Sequence, residues 1–188
     1  MPSVFLVSDT HFGHAGVCRF TREDGVTKLR PWDDPAEMDE AMVEAWNERV
    51  RPNDKVYHLG DVVINRRSLK TLARLNGDKV LIRGNHDIFR DTEYREYFRE
   101  LRAYHVMNGM ILSHIPIHED SLGRFGVNIH GHLHANRVKK DGVVDVRYHC
   151  VCVEQTPDFA PILFEDVIKR IEAEGGSVGF RNGNGPVM

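Results

Sequence analysis

Five short apolar runs in this chain stop at the same kind of polar cluster: VFLVSDTH (Val4 to His11), KVYHLGD (Lys55 to Asp61), VLIRGNHD (Val80 to Asp87), MILSH (Met110 to His114) and NIHGHLH (Asn128 to His134). Each run is too short for a helix, and the residues are those of a buried strand. A fold built on them must bring several strand ends to one place, because in α/β proteins the ligand crevice lies beyond the carboxyl ends of the strands. The residues gathered there would be Asp9, His11, Asp61, Asn85, His114, His132 and His134. Mixed oxygen and imidazole donors suit Mn²⁺, Fe or Zn²⁺, and the lack of thiolates rules out a structural zinc site.

The intervening segments predict the scaffold. Asp34 can cap a helix that has Pro35 at its first position and runs to about Val50, with Met38, Met42, Ala45, Trp46 and Val50 on its buried stripe. A short helix over Ser68–Leu75 and a further helix near Thr92–Arg102 alternate with the strands, which implies parallel pairing through right-handed crossovers. Residues 12–34 carry Asp24-Gly25 and Arg30-Pro31 and form a long loop or small hairpin. After Arg102 the pattern becomes strand-rich: a hairpin at Asn108-Gly109, then GVNIH, GVVDVRYHCVCVE and APILF, with a last helix over Asp166–Ala173. A parallel half followed by a more antiparallel half suggests two sheets packed face to face with helices outside. One domain over residues 1–174 and a glycine-rich tail over 175–188 are expected.

Composition excludes little. A net charge of -3 gives no global electrostatic reason to bind nucleic acid or an anionic membrane. The start, MPSVFLVSDTHFGH, has no basic segment before its apolar run and reaches an aspartate too soon for a signal peptide or a membrane span. A cytoplasmic location is therefore expected. Cys18, Cys150 and Cys152 make no disulfide framework, and the last two read as packing residues.

The order D-x-H, GD, GNHD, H, GHxH resembles the signature of the calcineurin-like metallophosphoesterases, standing here as Asp9-Thr10-His11, Gly60-Asp61, Gly84-Asn85-His86-Asp87, His114 and Gly131-His132-Leu133-His134. The resemblance implies a four-layer α/β/β/α sandwich of two mixed sheets and a two-metal site. Asp9, His11, Asp61 and His134 would hold one ion and Asp61, Asn85, His114 and His132 the other, with Asp61 bridging. Mn²⁺ is the first choice of metal, with Fe, Zn²⁺, Ni²⁺ or Mg²⁺ as alternatives. Such a pair, roughly 3.5–4 Å apart, holds a bridging hydroxide that attacks a phosphate ester. By the same resemblance His86 protonates the leaving group or stabilises the transition state, a task open to an imidazole near neutral pH.

Several residues stand outside that signature. Asp87 would orient His86 or cap the segment after it. His14, on the loop over the metals, is a candidate phosphate contact, as are Arg19, on the same basic loop as Arg22, Lys28 and Arg30, and Arg66, which follows the GD block. His130 shares the parity of His132 and His134 but not their task, and His58 reads as structural. Residues 60–65, GDVVIN, lack the second aspartate and arginine of the GDxxDR block of protein phosphatases, which points to the small phosphodiesterase-like branch. With no insertion able to form a cap domain, the expected substrate is a small phosphate ester or nucleotide. The alternatives are a nuclease acting on DNA or RNA and a non-catalytic scaffold for protein binding.

Overall fold

The computed structural model describes residues 2–179, so the 180–188 part of the expected glycine-rich tail lies outside the described residues. Two sheets carry the molecule. The first has the order β11-β1-β2-β3-β4, where β1 (Val4–Val7), β2 (Lys55–His58), β3 (Asp78–Ile82) and β4 (Glu100–Arg102) are mutually parallel and β11 (Ile162–Leu163) is antiparallel. The second has the order β10-β7-β6-β5, formed by β5 (His105–Met107), β6 (Met110–Ser113), β7 (Asn128–His130) and β10 (Tyr148–Cys150). A separate small hairpin pairs β8 (Lys139–Lys140) with β9 (Val143–Val144).

Strand alternation sorts the core into layers. Leu6, Tyr57, Val80 and Ile82 face Met110, Leu112, Val127 and Ile129 of the second sheet. Their neighbours Phe5, Val7, Val56 and Leu81 point the other way and pack under Met38, Met42, Trp46, Leu69 and Leu72. The last five belong to α1 (Pro35–Arg49) and to the 3₁₀ helix over Arg66–Arg74. α1 begins as its sequence dictates, with the Asp34 side chain accepting from the Ala36 N–H at 2.9 Å and proline in the first turn. The outer face of the second sheet is thinly covered by a cluster of Ile111, Tyr148 and Leu122, the last from the single turn α3 (Glu119–Leu122). α4 (Phe164–Ala173) adds Phe164, Val167 and Ile171 to the cluster between the sheets. The architecture is the mixed α/β arrangement of two sheets flanked by helices.

Three expectations are corrected. The helix near Thr92–Arg102 shrinks to α2 (Asp91–Tyr94), and the residues after it form β4, with Val80 opposite Glu100 and Ile82 opposite Arg102. The open edge of β3 offers unpaired backbone groups, and satisfying them outweighs the weak helix preference of this stretch. The second sheet is less antiparallel than expected, since β6, β7 and β10 run parallel and β5 alone is reversed, across the Asn108-Gly109 turn where both residues have positive φ. The long run GVVDVRYHCVCVE breaks into β9 and β10, then crosses to the first sheet: Cys152 bridges Ser8, and the Val153 N–H donates to the Ser8 carbonyl at 3.1 Å. That crossing stitches the two sheets together at the end where the polar clusters lie.

Candidate functional site

The loops after β1 and β2 are zipped to each other by backbone bonds, Asp9 N–H to the Gly60 carbonyl at 2.9 Å, His11 to Asp61 at 3.0 Å and Phe12 to Val62 at 3.0 Å. The loop after β3 is tied in by Asp87. Its buried carboxylate accepts from the N–H groups of Asp61 at 2.8 Å, Val62 at 3.0 Å and Gly84 at 2.8 Å. Asp87 thereby fastens the backbone under Asp61. Gly84 is needed here because a Cβ would sit 2.2 Å from Asp61 Oδ1. At Gly131 a Cβ would sit 2.0 Å from Ser8 Oγ and 2.5 Å from Asp9 Oδ2.

Five of the seven expected ligands have left-handed backbones: Asp9 (φ 59°), His11 (49°), Asp61 (57°), His132 (68°) and His134 (51°). Such φ values are uncommon outside glycine and cost of order 1–3 kcal/mol each, so they persist where surrounding bonds over-determine them. The zipped loops and the Asp87 carboxylate supply those bonds.

Six of the seven side chains converge as two groups, Asp9 with His11 and His134, and Asp61 with His114 and His132, the donor atoms of each lying within 4.8 Å of one another. His11 Nε2 is 3.6 Å from both Asp9 Oδ1 and Asp61 Oδ2, while His114 Nε2 is 3.4 Å from that same Asp61 Oδ2. Asn85 Oδ1 sits 2.9 Å from His114 Nε2 and 3.0 Å from His132 Nδ1. Ligands bound to one ion at roughly 2.0–2.2 Å are spaced at about these distances.

The donors are turned toward those positions by bonds on their other sides. Asp9 Oδ2 accepts from Ser8 Oγ at 2.6 Å, the His132 N–H at 2.8 Å and Cys152 Sγ at 3.1 Å. Its Oδ1 and both ring nitrogens of His11 are buried with no hydrogen-bond partner. Leaving such groups unsatisfied costs about 1–3 kcal/mol each, and a cation between them removes that cost. The donor set thus fits metal ions. Asp61 Oδ1 accepts the His86 N–H at 2.8 Å, which leaves Oδ2 for the two groups to share. His114 Nδ1 faces the Leu59 carbonyl at 2.7 Å, and His134 Nδ1 faces Glu154 Oε1 at 3.1 Å, so each presents Nε2 inward. Burial opposes ionisation of Asp9 and Asp61, but the imidazoles beside them hold both carboxyls below the usual range.

The remaining candidates divide. His86 is exposed, with its ring centroid 5.6 Å from that of His11. His14 lies at 5.4 Å from His11, and burial together with the imidazoles and Arg30 nearby pushes its pKa down to about 4. It is neutral at neutral pH and can offer a phosphate a hydrogen bond but no charge. Arg66 is exposed, ion-paired with Glu93 and stacked over Phe89 at 5.0 Å. Arg19 is exposed on its loop. His130 and His58 are buried, His58 against Thr10 Oγ1 at 3.0 Å.

Three residues have tasks that local pattern does not show. Arg30, expected as a loop cation, is 1% exposed and donates to the carbonyls of Asp9 at 2.6 Å and Thr10 at 2.8 Å. Its Nε donates to Glu154 at 2.8 Å, on the same carboxylate oxygen that meets His134. The signal for Glu154 was present in HCVCVE, an apolar run ending in a carboxylate like the other five. Cys152, read as packing, also has a polar task in orienting Asp9.

Comparison with known proteins agrees with this centre. The chain is 32% identical over 179 residues to the uncharacterized protein MJ1445 of Methanocaldococcus jannaschii, covering 92% of this chain and 93% of that protein. It is 30% identical over 196 residues to the Gene 66 protein of Mycobacterium phage D29, covering 86% and 93%. The crystal structure of AQ665 from Aquifex aeolicus, a protein of unknown function, shares the fold with a TM-score of 0.64 at 24% identity, covering 90% of this chain and 100% of that one. The calcineurin-like phosphoesterase family profile matches residues 2–174, nearly the whole described chain. The chain belongs to that family, and it is a metal-dependent phosphoesterase.

Proposed function

We propose that this chain is a two-metal hydrolase of phosphate esters with a nucleotide-like organic group, active in the cytoplasm and using Mn²⁺ in preference to Zn²⁺, Fe, Ni²⁺ or Mg²⁺. The observation that carries it is the meeting of both donor groups at one oxygen, Asp61 Oδ2, with His11 at 3.6 Å on one side and His114 at 3.4 Å on the other. When bound, two such ions supply Lewis acidity toward the phosphoryl oxygens and acidify a water for in-line displacement.

The chain's own residues do the rest. Asp9, His11 and His134 would hold one ion, and Asn85, His114 and His132 the other. Seven donors placed by rigid strand ends orient the ester without reorganisation during reaction. Exposed His86 can give a ring N–H proton to the leaving oxygen, and its backbone N–H keeps Asp61 Oδ1 occupied. No helix among the described residues is long and apolar enough to cross a membrane.

A small ester is favoured over nucleic acid by where the cations are spent. Of the basic loop, Arg30 is buried against Glu154 and Lys28 pairs with Asp33, and Arg66 beyond the GD block pairs with Glu93, which leaves Arg19 and Arg22 as a short patch in place of a long row along a phosphate backbone. The test is metal analysis of the purified protein, with hydrolysis of bis-p-nitrophenyl phosphate, p-nitrophenyl phosphate and plasmid DNA with and without Mn²⁺. Metal-dependent cleavage of a small ester supports the reading. Cleavage of plasmid alone transfers the chain to the nucleases, and absence of both metal and turnover overturns the enzyme.

A further inference from the structure

The hairpin over residues 20–29 stands opposite two of the metal-facing histidines. It forms one wall of a cleft of about 300 Å³, with Phe20, Arg22 and Leu29 on that wall and His132, His134 and Asn136 on the other. The wall is built, not draped. The Arg22 N–H donates to the Thr27 carbonyl at 2.8 Å and the Leu29 N–H to the Phe20 carbonyl at 2.8 Å. Asp24 closes the turn by accepting from the Val26 and Thr27 N–H groups at 2.9 and 2.8 Å, and Arg30, at the hairpin's foot, is bolted to Glu154 and to the Asp9 carbonyl.

Phe20 is 50% exposed and meets His14 edge-on at 5.9 Å, so a row of rings leads from His11 through His14 to the cleft wall. A half-exposed phenyl ring beside a metal centre gains by being covered with another flat ring. The volume is at the small end of ligand sites, enough for one heterocycle and short for a peptide or an acyl chain. Asn136 opposite supplies an amide that can both donate to and accept from a heterocycle's edge, and Arg22 supplies a cation.

We infer that this cleft is the subsite for the nucleobase of a nucleotide ester, with Phe20 as its stacking surface. The inference rests on the hydrolase reading above, because His132 and His134 line the cleft and also belong to the two donor groups. A phosphate at those groups therefore places its organic substituent next to Phe20.

Two esters with the same leaving group test it: p-nitrophenyl thymidine 5′-phosphate and methyl p-nitrophenyl phosphate, each with the Mn²⁺-loaded enzyme. Base stacking on an aromatic ring is worth about 1–3 kcal/mol, so Phe20→Ala should lower kcat/KM for the thymidine ester about tenfold more than for the methyl ester, through KM, and Phe20→Trp should restore it. An equal change on both esters, or on neither, overturns the subsite while leaving the hydrolase intact. If the wild-type protein turns over neither ester nor p-nitrophenyl phosphate, the hydrolase reading fails on its own. Calorimetric binding of thymidine 5′-monophosphate to wild type and Phe20→Ala then decides the cleft: loss of about tenfold supports it, and equal affinity overturns it.

Discussion

His134 Nδ1 and Arg30 Nε meet the same oxygen of Glu154, at 3.1 and 2.8 Å. One buried carboxylate thus fixes the ring of a metal-facing histidine and neutralises a cation that carries the backbone of Asp9. Burial would push the Glu154 pKa up, but Arg30 and His134 outweigh it and hold the group ionised. Glu154→Gln keeps an oxygen for His134 and leaves Arg30 without its counter-charge. Loss of such an orienting partner typically costs 10–100-fold in metal affinity, and Glu154→Ala should also cost about 3–5 kcal/mol of stability because a buried cation is left unpaired. Mn²⁺ titration calorimetry and urea unfolding of the metal-free protein measure the two effects. Wild-type affinity in Glu154→Gln would show that the carboxylate does not support the ligand.

Asp61→Asn should reduce bound metal at both donor groups, since Asp61 Oδ2 faces His11 and His114 at once. His132→Ala, on one group alone, should lose metal from that group and spare the other. Elemental analysis after gel filtration reads the stoichiometry. If Asp61→Asn retains as much metal as the wild type, its oxygen is not shared.

For His86→Asn the expected result is retained metal with most turnover lost on substrates whose leaving groups need a proton. General acid catalysis contributes about 10²–10⁴-fold. The loss should be small for p-nitrophenyl esters, whose leaving group departs as the anion, and large for alkyl esters. Equal losses on both would assign His86 to phosphate binding instead.

The fold should weaken in mild acid. Burial pushes the pKa of His58 down to about 3 and that of His149 down to about 4, both from an ordinary value of 6.5. Folded-state values below the unfolded one mean that the unfolded chain takes up the protons first. The associated stability is complete above about pH 6.5 and falls as pH drops toward 4, by about 2 kcal/mol per histidine at pH 5. Urea unfolding of the metal-free protein near pH 7.5 and near pH 5 tests this, and His149→Gln should flatten the slope. A slope that His149→Gln leaves unchanged would show that this ring does not carry it.

The metal-facing residues were legible because each follows a short apolar run, so position in the chain stood in for position in space. Their partners were not. Arg30 and Glu154 are 124 residues apart and meet only when the chain after β10 crosses to the first sheet, so no local pattern distinguishes Arg30 from a solvated arginine. Arg66 shows the converse, a cation near the right block that the fold turns toward Glu93. β4 was hidden because a charged, helix-compatible stretch becomes a strand only beside the waiting edge of β3. Asp87 was visible as a residue of interest, but its task depends on three N–H groups from two separate loops.

The hairpin over residues 20–29 stands between two fixed posts: the Gly13 N–H held by Asp39 at 3.0 Å on one side, and Arg30 locked to Glu154 on the other. What lies between them can lengthen, shorten or change composition without loosening the ion-holding bed. If the Phe20 cleft holds the base, the residues that would choose the organic group and the residues that would hold the ions are mechanically separate, and a different hairpin could be set between the same posts.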